Sequence, residues 1–215
     1  VYGEPDRVPI NEQEPLKPTV SPYGGTKQMG ETIIQDVCVA NKTFNAILLR
    51  YFNPIGAHPS GKIGEIPQGV PANLVPFLTQ TAIGKRKELF VFGADYPTPD
   101  GTCIRDYIHV MDLAHAHILS LKFLWAKKNE SNCEIFNLGT GKGNSVLELI
   151  QTFESSTGQK VNYKIASRRE GDIIQAYADP SKAKKILGWQ AKQSLSSALK
   201  SAWEWEKNWQ KEESS

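Results

Sequence analysis

A mostly apolar run at residues 45–51, reached directly from a helical pattern, constrains the fold more than any other stretch. Apolar residues at helical spacing predict a helix over about 22–41. The run behind it suits a strand buried on both faces. Because a helix followed by a buried strand is one step of a parallel α/β sheet, the chain is predicted to contain part of such a sheet.

The remaining pattern continues this alternation of helices and strands. Further helices are predicted over about 72–85, 111–127, 145–157, 181–188 and 194–211, and strands over 88–92, 134–138 and 161–165. The proline-containing residues 1–20 are predicted to form an irregular surface loop. The apolar face of the first helix consists of Met29, Ile33, Ile34, Val37 and Cys38.

The start of the first helix carries a candidate catalytic pair, Tyr23 and Lys27. Ser21 is a suitable N-cap and Pro22 a favourable first helical residue. Residues four apart share one helix face, so the two side chains come within reach of each other. An ammonium beside a phenol favours the phenolate, which makes a phenol a usable base. The spacing by itself also fits a surface lysine and a half-buried tyrosine on an ordinary helix.

Two glycine-rich stretches imitate phosphate-binding loops, and neither is predicted to be one. Residues 56–62 match G-x-x-x-x-G-K, but Ile63 stands where a magnesium-binding Ser or Thr is needed. Residues 139–144 approach G-x-G-x-x-G, but Asn144 takes the last position, so a tight strand-to-helix turn is favoured. His115 and His117 point to different faces of a helix and are not a metal pair.

Charge and cysteine content exclude several function classes. The 215 residues carry a mixed net charge of +2, which gives no indication of a nucleic-acid or membrane surface. The longest apolar runs fall short of a membrane span. Cys38, Cys103 and Cys133 are widely spaced and match no metal pattern, which favours reduced thiols and a cytoplasmic location. No metal is expected.

Four stretches together resemble one family: YGGTK at 23–27, RYFNPIGAHPSG at 50–61, RDYIHVMDLA at 105–114 and RREGD at 168–172. The chain resembles the UDP-glucose 4-epimerase family of extended short-chain dehydrogenases/reductases over nearly its whole length. The resemblance implies an α/β fold with the C-terminal part of a Rossmann-type parallel sheet and a smaller mixed α/β substrate-binding domain. Residues 1–54 would belong to the NAD-binding domain and 55–215 mainly to the UDP-sugar domain, with about 104–140 returning to the Rossmann part.

The resemblance further implies NAD-dependent interconversion of UDP-glucose and UDP-galactose, with Tyr23 as the base and Lys27 beside it. The residues implied to contact the cofactor are Tyr23, Lys27, Tyr51 and Phe52. Those implied to contact the UDP-hexose are Asn53, Asn73, Leu74, Phe90, Phe92, Arg105, Arg169, Asp172 and Ala176. Arginines offer a planar fork of donors to a diphosphate, and a carboxylate can accept from ribose hydroxyls.

Departures from the family pattern carry their own expectations. The glycine-rich NAD fingerprint and the active-site serine are expected before Val1, so the chain is predicted to be a fragment that is inactive alone. Ile66 and Ala72 replace an acidic residue and an asparagine, with no functional account. Ala176 replaces a tyrosine that restricts the family to plain sugars, which predicts activity on acetylated UDP-hexosamines. A homodimer through the helix at 23–41 is also implied by the resemblance.

Two alternatives stay open. One is a nucleotide-sugar dehydratase or reductase of the same superfamily. The other is a non-catalytic module that binds UDP-sugar without NAD, which is disfavoured because a parallel sheet cut through its middle leaves an edge unpaired.

Overall fold

The computed structural model describes residues 1–19 and 21–213, so Val20 of the predicted N-terminal loop lies outside the described residues. The described helices are α1 Pro22–Ala40, α2 Leu74–Ala82, α3 Val110–Trp125, α4 Val146–Thr157, α5 Ser181–Leu187 and α6 Leu195–Glu213. The described strands are β1 Ala46–Tyr51, β2 Asn53–Ile55, β3 Leu89–Phe92, β4 Ile104–Arg105, β5 Tyr107–His109, β6 Cys133–Leu138, β7 Asn144–Ser145, β8 Tyr163–Ala166 and β9 Gln175–Ala176. Each predicted helix and strand is present, with ends shifted by a few residues.

Parallel pairing dominates the strands, which confirms the α/β class. β1 pairs in parallel with β6, β2 with β5, and β3 with β8. β4 lies between β9, which is parallel to it, and β7, which is antiparallel. The loops that follow parallel strands are the places where α/β proteins bind ligands.

The described residues form two hydrophobic cores that meet at β5. The first packs α2, β3, α4 and α6 together and includes Ile55, Tyr107, Phe153 and Trp203. The second packs β6, α3 and α5 together around Phe136 and Trp189. Tyr107 belongs to the first core and the adjacent Ile108 to the second, so β5 is shared by both. The domain boundary at residue 54 stays a prediction.

The N-terminal segment is irregular as predicted, but it is not a simple surface loop. Tyr2, Ile10 and Glu14 are buried. The Tyr2 hydroxyl donates to Asn137 Oδ1 at 2.6 Å and accepts from Arg50 at 3.0 Å. Arg50 also donates two hydrogen bonds to the Glu31 carboxylate, at 2.8 and 2.5 Å. This buried polar network explains why the segment packs inward, since removing one member would leave a buried polar group unsatisfied.

α1 presents two faces of different character. Glu31 and Cys38 face the sheet and are buried, whereas Met29, Ile33 and Val37 are exposed at 66%, 63% and 42%. The predicted apolar face is therefore mostly an outer face. The reason is that the inner face of α1 packs against Arg50, a polar residue of β1. Glu31 lies on this inner face and pairs with Arg50.

Within residues 1–19 and 21–213, no helix is both long and apolar enough to cross a membrane.

Candidate active site

An open cleft with a volume of about 430 Å³ lies between α2, β2, β3 and β4. Among the predicted substrate residues, all but Ala176 line it. These lining residues are Asn53, Asn73, Leu74, Phe90, Phe92, Arg105, Arg169 and Asp172. The structure thus brings together side chains that are far apart in the sequence.

The N-terminus of α2 forms one wall of the cleft. Asn73 is the N-cap, but its side chain makes no capping bond and instead donates to Glu65 Oε1 at 2.9 Å. This leaves the Asn73 side-chain oxygen available as an acceptor. The first turn carries no acidic residue. A helix N-terminus with free amides favours an anionic group.

The charged wall consists of two arginines on either side of one carboxylate. Arg105 lies 3.8 Å and Arg169 lies 3.7 Å from the same Asp172 oxygen, Oδ1. Pairing of β4 with β7 and β9 fixes the main chain of Arg105. Because two guanidinium groups face one carboxylate, the wall carries a net positive charge suited to a phosphate group.

Alternation along β3 places two aromatic rings in the cleft. Leu89 and Val91 are buried in the core, while Phe90 and Phe92 are each 41% exposed. The Arg169 guanidinium lies 5.6 Å from the centroid of the Phe92 ring. The two exposed rings offer apolar contact to a flat base.

Tyr23 and Lys27 lie apart from the lining of this cleft. Lys27 Nζ is 5.1 Å from the centroid of the Tyr23 ring, and Tyr23 is 71% exposed. Ser21 caps α1 as predicted, accepting from the Gly24 amide at 3.2 Å. The spacing therefore brings the two side chains together on an exposed surface.

The two other predicted cofactor residues lie at the end of β1, which is Tyr51, and directly after it. Tyr51 is 48% exposed and Phe52 is half-buried. Asn53, the next residue, donates its amide to the Asp106 carbonyl at 2.9 Å and lines the cleft. Ala176 does not line the cleft, but it pairs with Arg105 in the β4–β9 ladder.

Sequence reasoning did not select Cys103 and Tyr107, which also line the cleft. Both are buried, and burial raises the pKa of Tyr107 above its ordinary value. Their positions flanking Arg105, two residues to each side on an extended segment, place all three on one side. That alternation was the signal available in the sequence.

The near-fingerprint at residues 139–144 is an internal turn, as predicted. The Asp106 carboxylate fills it, accepting from the Thr140 amide at 2.8 Å, the Thr140 hydroxyl at 2.7 Å and the Gly141 amide at 3.2 Å. A Cβ on Gly139 would lie 2.3 Å from Asp106 Oδ2. The Thr140 and Gly141 amides are therefore satisfied by the protein itself.

The other imitation of a phosphate loop also has a structural role. No helix follows residues 56–62 directly, since α2 begins only at Leu74. Gly56 has φ +87° and packs against α6, and His58 bonds with Ser60 at 2.8 Å. His115 and His117 are exposed. Among residues 1–19 and 21–213, no group of three or more His, Cys, Asp or Glu could hold a metal ion.

Comparison with known proteins gives consistent matches. Residues 1–202 match the model of the family described as GDP-mannose 4,6 dehydratase. UDP-glucose 4-epimerase from Bos taurus is 52% identical over 207 residues, which are 96% of this chain and 59% of that protein. This chain therefore spans about three fifths of the length of that relative.

Solved structures agree with these matches. UDP-glucose-4-epimerase from Stenotrophomonas maltophila, with bound NAD and formylated UDP-arabinopyranose, superposes with a TM-score of 0.93 at 45% identity, over 99% of this chain and 62% of that one. The UDP-Glc/GlcNAc 4-epimerase of Campylobacter jejuni has a TM-score of 0.76 at 38% identity, over 96% and 61%.

Proposed function

Since this chain belongs to the GDP-mannose 4,6 dehydratase family, we propose that it is the C-terminal part of an NAD-dependent UDP-hexose 4-epimerase. The observation that carries the proposal is the cleft, where Arg105, Arg169 and Asp172 form a charged wall opposite the N-terminus of α2. Identity of about half to UDP-glucose 4-epimerases supports this activity over others in the family.

The cleft binds the UDP part of the substrate. Arg105 and Arg169 donate to the diphosphate, and the first turn of α2 adds main-chain donors there. Asp172 accepts from the ribose hydroxyls, and Phe90 and Phe92 contact the uracil. Holding the nucleotide firmly leaves the hexose free to turn, because the binding energy is placed away from the reacting carbon.

The residues at the end of β1 and the start of α1 suit the nicotinamide end of the cofactor. Tyr23, Lys27 and Tyr51 are exposed, and each offers a polar group on an accessible surface. NAD, if bound there, would supply the hydride acceptor and donor for the sugar C4. The glycine loop at 139–144 is filled by Asp106, which leaves it unsuited to cradle the pyrophosphate.

Tyr23 moves the proton of the sugar 4-hydroxyl. Its phenolate takes that proton as C4 is oxidised and returns it as C4 is reduced from the opposite face. Lys27 lies beside this base, with its ammonium 5.1 Å from the ring centroid, and would donate to the nicotinamide ribose. Phe52 and Asn53 border the junction between cofactor and sugar.

The domain division follows from this assignment. Residues 1–54 and the elements of the second core belong to the NAD-binding domain, and the first core supports the UDP-sugar domain. β5, which contributes to both cores, joins them.

Sugar specificity is set in part by position 176. Ala176 has a small side chain and pairs with Arg105 of the cleft. A small residue leaves room for an acetamido group at C2, so the enzyme accepts UDP-N-acetylhexosamines as well as UDP-hexoses. Similarity to a UDP-Glc/GlcNAc 4-epimerase is in keeping with this range.

The exposed stripe Met29, Ile33 and Val37 on α1 is the homodimer contact. Three apolar side chains four residues apart form one continuous face, and such a face on a helix is typical of helix–helix packing. The enzyme acts in the cytoplasm, where the free thiols of Cys38, Cys103 and Cys133 stay reduced.

The experiment uses a complete enzyme that carries this chain. Interconversion of UDP-galactose and UDP-glucose is measured for the wild type, for Tyr23→Phe and for the exposed control Tyr163→Phe. We expect Tyr23→Phe to lower kcat by about 100-fold or more, the scale of general base catalysis, while UDP binding is retained. Tyr163→Phe stays near wild type.

Product analysis separates the alternatives. A 4-keto-6-deoxy sugar in place of the C4 epimer would indicate a dehydratase, a reaction that the family description also covers. UDP binding without any turnover of hexose would leave a non-catalytic binding module. Normal turnover by Tyr23→Phe would remove Tyr23 from the role of base.

A further inference from the structure

Two loops leave the same end of the β3–β8 ladder and run side by side past the cleft. Residues 93–103 follow β3, and residues 167–172 follow β8. They start in contact, with the Gly93 amide donating to the Ala166 carbonyl at 2.8 Å. Each loop supports one side of the cleft, since Phe92 precedes the first loop and Arg169 lies in the second.

Arg168, which does not line the cleft, joins these loops. Its Nε donates to Asp95 Oδ1 at 2.8 Å, and its Nη2 donates to the Asp95 carbonyl at 2.6 Å. The guanidinium lies 4.1 Å from the centroid of the Tyr96 ring. Two directed bonds and a stacked ring fix the plane of the guanidinium, which a single point contact would not do. The Arg168 hydrogen bond also lowers the pKa of Asp95.

The first loop is shaped to accept this contact. Gly93 has φ +79°, and a Cβ there would lie 2.4 Å from a Tyr96 ring carbon and 3.0 Å from Arg168 Cγ. Glycine is therefore required both for the backbone conformation and for the space that the stacked side chains occupy.

Tyr96 extends the contact to the cleft wall. It is only 5% exposed. Burial is the main reason why the pKa of Tyr96 is raised to about 12, and a hydrogen bond with the Cys103 thiol adds to the effect. Cys103 lines the cleft. The group of Asp95, Tyr96 and Arg168, which we call the clasp, thus reaches the cleft through Cys103 and through the peptide bond between Arg168 and Arg169.

We propose that Arg168 is a positioning residue that, through the clasp, sets Arg169 and Phe92 for binding of the nucleotide diphosphate. The proposal rests on the proposed function, because it assigns the clasp to the same nucleotide site. Arg169 has a long side chain with many rotamers and lies on an irregular loop. Ordering such a group on binding costs affinity, and a loop that is already held in place avoids that cost.

Stability of the fold is not expected to depend on the clasp. The side chains of Arg168 and Asp95 are 44% and 73% exposed, and exposed ion pairs contribute little to the free energy of unfolding. This separates a positioning role from a structural one, since removal of the pair should change ligand affinity and leave the thermal midpoint in place.

The test measures UDP affinity by calorimetry, and KM and kcat for UDP-galactose, in a complete enzyme that carries this chain. The variants are Arg168→Ala, Arg168→Lys and Asp95→Asn. The matched control is Lys160→Ala, which removes another ion pair with an exposed cation, Lys160–Glu154, with an N–O distance of 2.8 Å. Lys160 lies before β8 and does not line the cleft.

For Arg168→Ala we expect UDP binding about tenfold weaker and KM raised by a similar factor, on the scale of ordering one or two side chains. We expect kcat within about threefold of wild type, because the diphosphate site is remote from the reacting carbon. Arg168→Lys retains the charge but not the fork, so it recovers only part of the affinity. Asp95→Asn weakens binding in the same direction, and Lys160→Ala has no effect.

Wild-type affinity in both Arg168→Ala and Asp95→Asn would overturn the clasp and leave the proposed function intact. Weaker binding in both variants, together with a similar fall in the thermal midpoint of each, would also overturn the clasp, in favour of a structural role. A wild-type enzyme that does not bind UDP would overturn the proposed function itself, together with the clasp that depends on it.

Discussion

The carboxylate of Asp106 accepts hydrogen bonds from both the amide and the hydroxyl of Thr140, at 2.8 and 2.7 Å. The same carboxylate accepts from the Ala178 amide at 3.1 Å. The main-chain carbonyl of Asp106 accepts from the Asn53 amide at 2.9 Å, and the Asp106 amide donates to the Ala176 carbonyl at 3.1 Å. Asp106 is therefore the junction at which β2, β9 and the turn after β6 meet, next to Arg105 of the cleft.

Replacement of Asp106 by Asn is expected to lower the free energy of unfolding by about 3 kcal/mol. The amide keeps one acceptor oxygen but places an NH₂ group among buried donors, and hydrogen bonds to a charged group are worth about 1.5–3 kcal/mol each. Thr140→Val, which removes one donor only, should cost about 1 kcal/mol. Urea unfolding measures both. A loss of less than ~0.5 kcal/mol in Asp106→Asn would contradict the role of the carboxylate.

Acid should destabilise the fold through His109. This buried ring caps α3, since its Nδ1 accepts from the Met111 amide at 3.1 Å, and burial lowers the pKa of His109 despite the opposing charge of Asp112. Because the folded-state pKa lies below the unfolded value of about 6.5, stability is complete above pH 6.5 and falls as the pH drops below it.

His109→Asn keeps a neutral acceptor for the cap and should flatten this pH dependence between pH 7 and pH 5. The measurement is the free energy of unfolding at each pH. His117→Asn is the control, because His117 is exposed on α3, and it should retain the wild-type slope. An equal slope in His109→Asn and wild type would exclude His109 as the titrating group.

Substitution of Ala176 by Tyr is expected to remove activity on acetylated sugars selectively. The tyrosine ring would occupy the space next to Arg105. A steric clash between this ring and an acetamido group can lower kcat/KM for the acetylated sugar by a factor of about 10–200. Kinetics with UDP-N-acetylglucosamine and UDP-glucose in a complete enzyme give the ratio. An unchanged ratio would show that position 176 does not govern the choice.

Ile33→Asp should separate the dimer. The Ile33 side chain is 63% exposed at the centre of the α1 stripe. A charge buried without a partner in the dimer contact costs about 3 kcal/mol, which weakens self-association about 100-fold. Light scattering with size-exclusion chromatography measures the mass. Ile118→Asp, on the exposed face of α3, should remain dimeric. A monomeric wild type, or a dimeric Ile33→Asp, would contradict the assignment.

The sequence alone determined the parts of the fold that depend on neighbours along the chain. The cap at Ser21, the proximity of Tyr23 and Lys27, and the alternation that exposes Phe90 and Phe92 all follow from local geometry, with periods of 3.6 and 2 residues. The parallel α/β class followed from the order of helix and strand patterns in the same way.

Only the tertiary structure decided which distant groups meet. The capture of the 139–144 turn by Asp106, the burial of Tyr2 against Arg50, and the contact of Arg168 with Asp95 have no local signal. The outward direction of the α1 stripe was also undetermined, because a helical pattern gives the position of an apolar face but not what covers it. These features depend on packing between segments far apart in the chain, where each donor or apolar surface is satisfied by a partner that local periodicity does not specify.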